Sequence, residues 1–398
     1  MSLSVISLLL HAYIAGRLIP ALSDYAWAQI GVALLVIVSA GALQLGLSQW
    51  RKRRQPQGRR HDTTMEAAFI AMGFLSSLFV LTLLRDVALL IVWIVNAFGL
   101  SISSTFSLWS ALAVPVAAIL MTGLGLINAR RTARVVEVDI PIANLPTALH
   151  GFTIAQISDI HVGSTIKGDY VQSIVDAVNR LQADLVAVTG DLVDGSVAQL
   201  RPHVAPLREL TSRHGTYFVT GNHEYYSGVT SWVAELRQLG IKVLLNEHVV
   251  IEHNEGELVV AGVTDHSGHH FDESHRSDPA ASIATAPAGA VRILLAHQPR
   301  SAAAASKAGF HLQLSGHTHG GQFWPWNFFV RLQQPFTAGL HRLHNLWVYT
   351  SRGTGYWGPP KRFGAPSEIS LLRLVRARVR APQQTVAPPR VAEGAARV

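Results

Sequence analysis

The sequence contains no cysteine. Disulfides, zinc fingers and thiolate catalysis are therefore excluded, and any metal site has to be built from His, Asp, Glu or Asn. Charge is also scarce. Only 15% of the 398 residues are Asp, Glu, Lys or Arg, against 49% hydrophobic, a low charged fraction for a wholly soluble chain. Neither common nucleotide fingerprint is present. There is no GxxxxGK[ST], and GTGYWG (353–358) has a GxGxxG look without the βαβ setting that gives it meaning, so it reads as an ordinary loop. No internal repeat is visible.

Acidic residues are sparse at the two ends. Residues 1–134 hold eleven Lys/Arg against four Asp/Glu, residues 373–398 hold six against one, and residues 135–372 hold sixteen against twenty. A nucleic-acid enzyme would carry the positive field on its binding domain. Basic flanks around a mildly acidic middle suit an anionic membrane surface instead.

Four long apolar segments fill the N-terminal third: Leu3–Ser23, Ala26–Gln49, Ala67–Leu100 and Phe106–Asn128. Each exceeds or approaches the ~20 apolar residues that cross a bilayer. The first carries His11 and Arg17, the latter near enough to an end to snorkel. It lacks the basic start of a signal peptide and is followed by further spans. The third segment has Arg85–Asp86 near its middle, which leaves three readings open: one long tilted helix, a helix plus a re-entrant piece, or two short spans. The basic run RKRRQPQGRR (51–60) and the cluster Arg130, Arg131, Arg134 both belong in the cytoplasm by the positive-inside rule. That requires an even number of crossings between them and favours four spans in total, with five placing the C-terminal domain outside. Residues 1–134 are thus expected to form a transmembrane helical region, 135–376 a catalytic domain, and the Ala/Pro/Arg-rich 377–398 a disordered basic tail.

After residue 135 short apolar runs alternate with amphipathic stretches. FTIAQIS (152–158), DLVAVTG (184–190), TYFVTG (216–221) and VRILLAH (291–297) read as buried strands, while Tyr170–Leu181 and Val229–Leu239 show helical spacing. AGVTD, HLQLSG, LWVYTS and EISLLRL add further strands, so an α/β sandwich is expected. Polar residues follow these strands in a pattern. FTIAQIS runs into Asp159-Ile160-His161, DLVAVTG into Asp191 and Asp194, and TYFVTG into Asn222-His223-Glu224. VRILLA ends at His297, and HLQLSG runs into His317-Thr318-His319. Ligands of open α/β sheets bind at the carboxyl ends of strands. Two divalent cations about 3.5–4 Å apart form a clamp for phosphoryl transfer. They need a carboxylate shared between them and neutral imidazoles around it. Asp, Asn and His suit manganese, iron or zinc better than calcium, which prefers oxygen alone. The glycines flanking His317 and His319 permit a sharp turn and close backbone approach.

The ordered set DIH, GDLVD, GNHE, His297 and GHTH resembles the calcineurin-like metallophosphoesterases over about residues 147–373. With the apolar segments, the chain looks like their transmembrane, YkuE/YaeI-like phosphodiesterase branch, whose C-terminal signature SRGTGYWGPPKRFGAPSEI (351–369) is similar to. The resemblance implies a four-layer αββα sandwich and two divalent metals, with manganese first and iron or zinc next. It assigns Asp159, His161 and His319 to one metal, Asn222, His297 and His317 to the other, and Asp191 as the bridge. It makes His223 a general acid and Asp194 its orienting partner, with a helix cap as the other reading of Asp194. Glu224 stays open between a supporting and a purely structural role. Gly195 stands where many relatives have a phosphate-binding arginine, so Arg352, Lys361 or Arg362 is the replacement to look for.

QFWPWNFF (322–329), with Tyr356, Trp357 and Phe363, reads either as a local core cluster or as an apolar lip that meets lipid. Some related enzymes cleave UDP-2,3-diacylglucosamine in lipid A biosynthesis. The resemblance makes that the lead substrate, at the cytoplasmic face of a bacterial inner membrane. A broad phosphodiesterase or phosphatase acting on other lipid or cell-wall phosphates is the alternative, and a non-catalytic metal-binding sensor is the alternative of another class. Nucleic acid is not an expected partner.

Overall fold

The computed structural model describes residues 2–51, 58–100 and 105–377. Most of the basic run 51–60 and nearly all of the expected tail 377–398 lie outside them. The arm consists of α1 (Leu3–Leu18), α2 (Ala26–Arg51), α3 (Arg59–Ala97) and α4 (Phe106–Arg130). Four described helices are long and apolar enough to cross a membrane. The third apolar segment is one continuous helix, which sets aside the broken and re-entrant readings. Its polar pair is satisfied sideways rather than by a break. Buried Arg85 donates to the Arg17 carbonyl (3.2 Å), the Ser107 carbonyl (3.1 Å) and Ser110 Oγ (3.1 Å). Asp86 accepts from Tyr13 (2.7 Å) and Arg17 (2.8 Å). Intramembrane charges are tolerated when they find such partners inside a bundle. At 39 residues α3 is roughly 58 Å long, nearly twice a ~30 Å hydrocarbon core. Its first turns run beside the globular domain, where Asp62 pairs with Lys167 (2.9 Å), and Glu66 pairs with Arg130 at the end of α4.

The globular domain continues from α4 as β1 (Arg134–Ile142), β2 (Thr153–Ile157), α5 (Gly168–Arg180), β3 (Leu185–Val188), α6 (Val197–Val204), β4 (Thr216–Phe218), α7 (Asn222–Ser227), α8 (Val229–Gln238) and β5 (Lys242–Val243). It then runs through β6 (Glu247–His253), β7 (Gly256–Gly262), β8 (Val291–Leu295), α9 (Ala302–Ala308), β9 (Leu312–Ser315), α10 (Trp326–Phe329), β10 (Gly339–Leu343), β11 (Leu346–Thr350) and β12 (Glu368–Arg376). One sheet has the order β1-β12-β2-β3-β4-β5 and the other β10-β11-β9-β8-β7-β6. Strands β2 to β5 are parallel, as are β7, β8, β9 and β11. Buried on both faces, the central strands need apolar runs, which LVAV supplies throughout and VRILL supplies apart from the half-buried Arg292. Ile154, Leu185, Tyr217, Ile293 and Leu314 fill the space between the sheets. Val171, Ile174 and Trp232 belong to the core on the outer face of the first sheet, and Ala302 and Ala305 to that on the outer face of the second. The architecture is thus the expected four-layer αββα sandwich behind a helical arm.

Because the natural chain has no cysteine, single-cysteine labelling reports topology without background. Four crossings place exposed Ser23, between α1 and α2, on the opposite membrane face from exposed Glu252 in β6. Ser23→Cys and Glu252→Cys are therefore expected to react with an impermeant maleimide from opposite sides. Reaction from one side contradicts four crossings.

Candidate metal centre

Five strands, three from one sheet and two from the other, end at a common seam. Just beyond β2, β3, β4, β8 and β9 lie Asp159/His161, Asp191/Asp194, Asn222/His223, His297 and His317/His319. Five of these residues have left-handed backbone, with φ of 53° at Asp159, 57° at His161, 52° at Asp191, 70° at His317 and 50° at His319. A non-glycine residue there costs about 1–2 kcal/mol, so the surrounding contacts must hold it. Gly221 and Gly316 are required for a different reason. A Cβ on Gly221 would lie 2.2 Å from Asp191 Oδ1, and one on Gly316 2.1 Å from Asp159 Oδ2. Gly316, ahead of the two histidines of GHTHGG, lets the loop press directly against a carboxylate, while Gly321 behind them lies against the Asn327 backbone.

The side chains gather into two sets. Asp159, His161 and His319 offer donor atoms within 4.8 Å of one another, and so do Asp191, His297 and His317. His161 Nε2 is 3.0 Å from His319 Nε2, which is 3.5 Å from Asp159 Oδ1. His297 Nε2 is 3.1 Å from both His317 Nδ1 and Asp191 Oδ2. The same Asp191 oxygen is 3.8 Å from His161 Nε2, so Asp191 stands between the sets. Donors about 2.1 Å from a shared ion are spaced in this way. Asn222 gives an independent sign. Its Oδ1 is buried with no hydrogen-bond partner, an expense that a cation ligand would remove. The donors present therefore fit two divalent ions.

Hydrogen bonds behind the donors fix their direction. His297 Nδ1 donates to the Thr189 carbonyl (2.7 Å), leaving Nε2 for a ligand. Asp194 Oδ1 takes Nδ1 of both His161 (3.0 Å) and His223 (2.6 Å). These three also lie within 4.8 Å of one another, with the carboxylate occupying their shared nitrogens as an orienting partner. The helix-cap reading of Asp194 falls away, because Ser196 caps α6. Glu224 lies on the third residue of α7 and accepts three backbone N–H groups: Gly221 (2.6 Å), Asp191 (2.9 Å) and Leu192 (2.8 Å). One buried carboxylate thus staples the β4 turn to the β3 turn. The clue in the sequence was Glu three residues after a helix N-cap, but the clamp across to Asp191 is tertiary. Asp159 in turn accepts from the His317 N–H at 2.9 Å.

Electrostatics follow the geometry. Burial pushes His317 down to about 4, helped by the His297 charge. Burial together with the Arg362 charge holds His319 well below the ordinary imidazole range. Both stay neutral, the form that ligates metals. Burial works against ionising His223, but the Asp194 hydrogen bond and the Asp191 and Asp194 charges prevail and lift it to about 9. These contacts favour its protonated form. Burial and the Asp191 charge push Glu224 up to about 7.

All seven expected ligand residues, with His223 and Asp194, come together at one seam. The expected phosphate contacts do not. Arg362 is fully buried and donates to the carbonyls of His319 (2.9 Å) and Arg352 (2.8 Å). Lys361 is buried too, with its ammonium between α3 and α4. Arg352 pairs with Glu368 at 2.7 Å and does not line the cavity above the cluster. A cation in a Gly/Pro-rich loop reads as solvated from sequence, and the packing commits these three elsewhere.

A layered sandwich of two mixed sheets with a His/Asp/Asn cluster at the ends of its parallel strands defines a metallophosphoesterase-type site. A sequence model of the calcineurin-like phosphoesterases matches residues 152–321. The "Transmembrane protein with metallophosphoesterase domain" of Danio rerio is 38% identical over 276 residues, covering 67% of this chain and 63% of that protein. Its Bos taurus counterpart is 41% identical, covering 67% and 62%. "Uncharacterized metallophosphoesterase Cj0846" of Campylobacter jejuni is 34% identical over 300 residues, covering 75% of this chain and 78% of that one. The chain belongs to the calcineurin-like phosphoesterase family. It spans a little under two thirds of the length of the two vertebrate relatives.

Glu224→Gln replaces an acceptor by an amide that cannot serve all three N–H groups. The expected result is a fall in divalent-metal affinity of roughly 10–100-fold, read by calorimetric titration of the full chain. Unchanged affinity would show that the staple does not support the cluster.

Proposed function

We propose that the protein is a membrane-anchored phosphoesterase that holds two divalent ions and hydrolyses a phosphodiester or pyrophosphate bond in an amphiphilic, membrane-borne substrate. One ion is held by Asp159, His161 and His319, the other by Asn222, His297 and His317, and Asp191 serves both. Manganese is the ion we assign first, with iron or zinc next, since the donors are nitrogen and oxygen. When bound, two such ions supply Lewis acidity to the phosphoryl group and acidify water. His223 has its Nδ1 held by Asp194 and lines the cavity. That leaves Nε2 to give a proton to the leaving oxygen, while Asp194, accepting at Nδ1, holds the ring in orientation and favours its charged form.

The observation that carries the substrate reading is the cavity itself. It has a volume of about 580 Å³, with Asp191, Asn222 and His223 among its lining residues. Its wall includes Met72 and Ser76 of α3 beside Phe323, Trp326, Val330 and Trp357. Trp326 Nε1 donates to Ser76 Oγ at 2.9 Å, and Ser76 lies well inside the apolar run of a helix long enough to span. Trp326, Phe328, Phe329 and Leu332 are all exposed next to it. Aromatic and apolar side chains in that place suit immersion in the bilayer surface. Of the two readings of QFWPWNFF, this supports the lip for its second half, while Phe323 and Tyr356 are buried. UDP-2,3-diacylglucosamine is one member of the proposed class. Even parity of the crossings and the basic clusters near residues 51–60 and 130–134 support a cytoplasmic catalytic domain, for which we propose the inner membrane of a bacterium.

The test offers manganese-loaded, detergent-purified protein a bis-aryl phosphodiester, an aryl phosphomonoester and UDP-2,3-diacylglucosamine. The amphiphile is expected to have a kcat/KM at least about tenfold higher, and Trp326→Ala to erase that advantage with little effect on the small diester. Equal rates would favour a broad phosphodiesterase, and tight metal binding with no hydrolysis a sensor. His223→Ala is expected to keep both metals and lose about 10²–10⁴ in rate, most for poor leaving groups. Equal loss with activated aryl esters would remove the general-acid role.

A further inference from the structure

The dipeptide Lys361-Arg362 joins the helical arm to the metal cluster. Lys361 is 1% exposed, and its Nζ donates to the Gly73 carbonyl (2.9 Å), Ser77 Oγ (2.5 Å) and Thr122 Oγ1 (3.2 Å). An ammonium has three donors, and here all three rest on oxygens of α3 and α4. The slot is cut to its stem: a Cβ on Gly125 would lie 2.6 Å from Lys361 Cγ, and one on Gly73 3.3 Å from Cδ. The next residue is fastened to the same helix. The Arg362 N–H donates to the Gly125 carbonyl (2.9 Å), and Asn128 Nδ2 donates to the Arg362 carbonyl (3.2 Å). The Arg362 side chain then turns the other way. Its guanidinium donates to the carbonyls of His319 (2.9 Å) and Gly355 (3.1 Å), which sets the backbone of His319 in place. Lys361 Nζ also sits 5.1 Å over the ring of Phe323, four residues beyond His319.

We propose that the α3–α4 pair is a structural part of the metal centre: Lys361, docked between the helices, positions His319 through Arg362, so that separating the helices loosens one metal position and spares the other. The covalent link after α4 would suffice for an anchor. A buried cation with every donor placed on helix oxygens fixes distance and rotation as well, because withdrawing it from those oxygens leaves a charge in an apolar slot. Lys361 and Arg362 are thus positioning residues. The inference rests on the reading of His319 as a ligand.

The experiment titrates manganese(II) into full-length protein in micelles, comparing wild type with Lys361→Met and with Thr122→Val, which removes one acceptor only. Wild type is expected to take two ions. Lys361→Met is expected to bind one with wild-type affinity and the second at least about tenfold more weakly, and Thr122→Val to shift the same ion two- to fivefold. Two ions bound with wild-type affinities in both variants would overturn the inference, as would equal weakening of both ions. Should Lys361→Met not fold, Thr122→Val decides alone. Fewer than two ions on the wild type would instead contradict the dinuclear reading itself.

Discussion

The site hangs on a backbone held where side chains do not go willingly. Asp159, His161, Asp191, His317 and His319 are left-handed together. At about 1–2 kcal/mol each, their sum is comparable to the net stability of a domain. That conformation survives because the turns brace one another. The His161 N–H donates to the Asp191 carbonyl (3.1 Å), the Asp159 N–H to Gly190 (3.0 Å) and the Gly316 N–H to His297 (2.9 Å). Glu224 and Asp159 close the ring with their carboxylates. Each turn is held by contacts from the turns of other strands.

Membrane and site share this scaffold. α3 contributes Met72 and Ser76 to the cavity wall and Gly73 and Ser77 to the Lys361 slot. The first pair faces the space where a substrate would lie, and the second faces the loop that touches His319. An amphiphile of the proposed class would therefore reach the cavity beside the helix that we propose steadies the cluster. The exposed aromatic segment after Phe323 continues the same apolar surface.

Much of this was legible in the sequence, for a physical reason. A buried parallel strand has to be a short apolar run, and the first residues after its C-terminal end face the ligand edge. Apolar runs followed by Asp, Asn or His thus disclosed both the sheets and the cluster. The four apolar segments disclosed the arm by length alone. What stayed hidden was set by tertiary contact. Arg85–Asp86 left open whether the third segment was continuous, because its partners lie on α1 and α4. Glu224 gave only a capping signal, whereas its clamp reaches 33 residues back to Asp191. Lys361 and Arg362 stood as candidates for a phosphate contact, and only the packing of α4 against residues 361–362 shows where they go.

The central claim is that one carboxylate, Asp191, links two ions. Electron paramagnetic resonance of the full-length protein loaded with manganese(II) tests this directly. The account predicts an exchange-coupled dinuclear spectrum at two ions per chain, lost in Asp191→Asn. A spectrum of isolated, uncoupled manganese at full loading would contradict it.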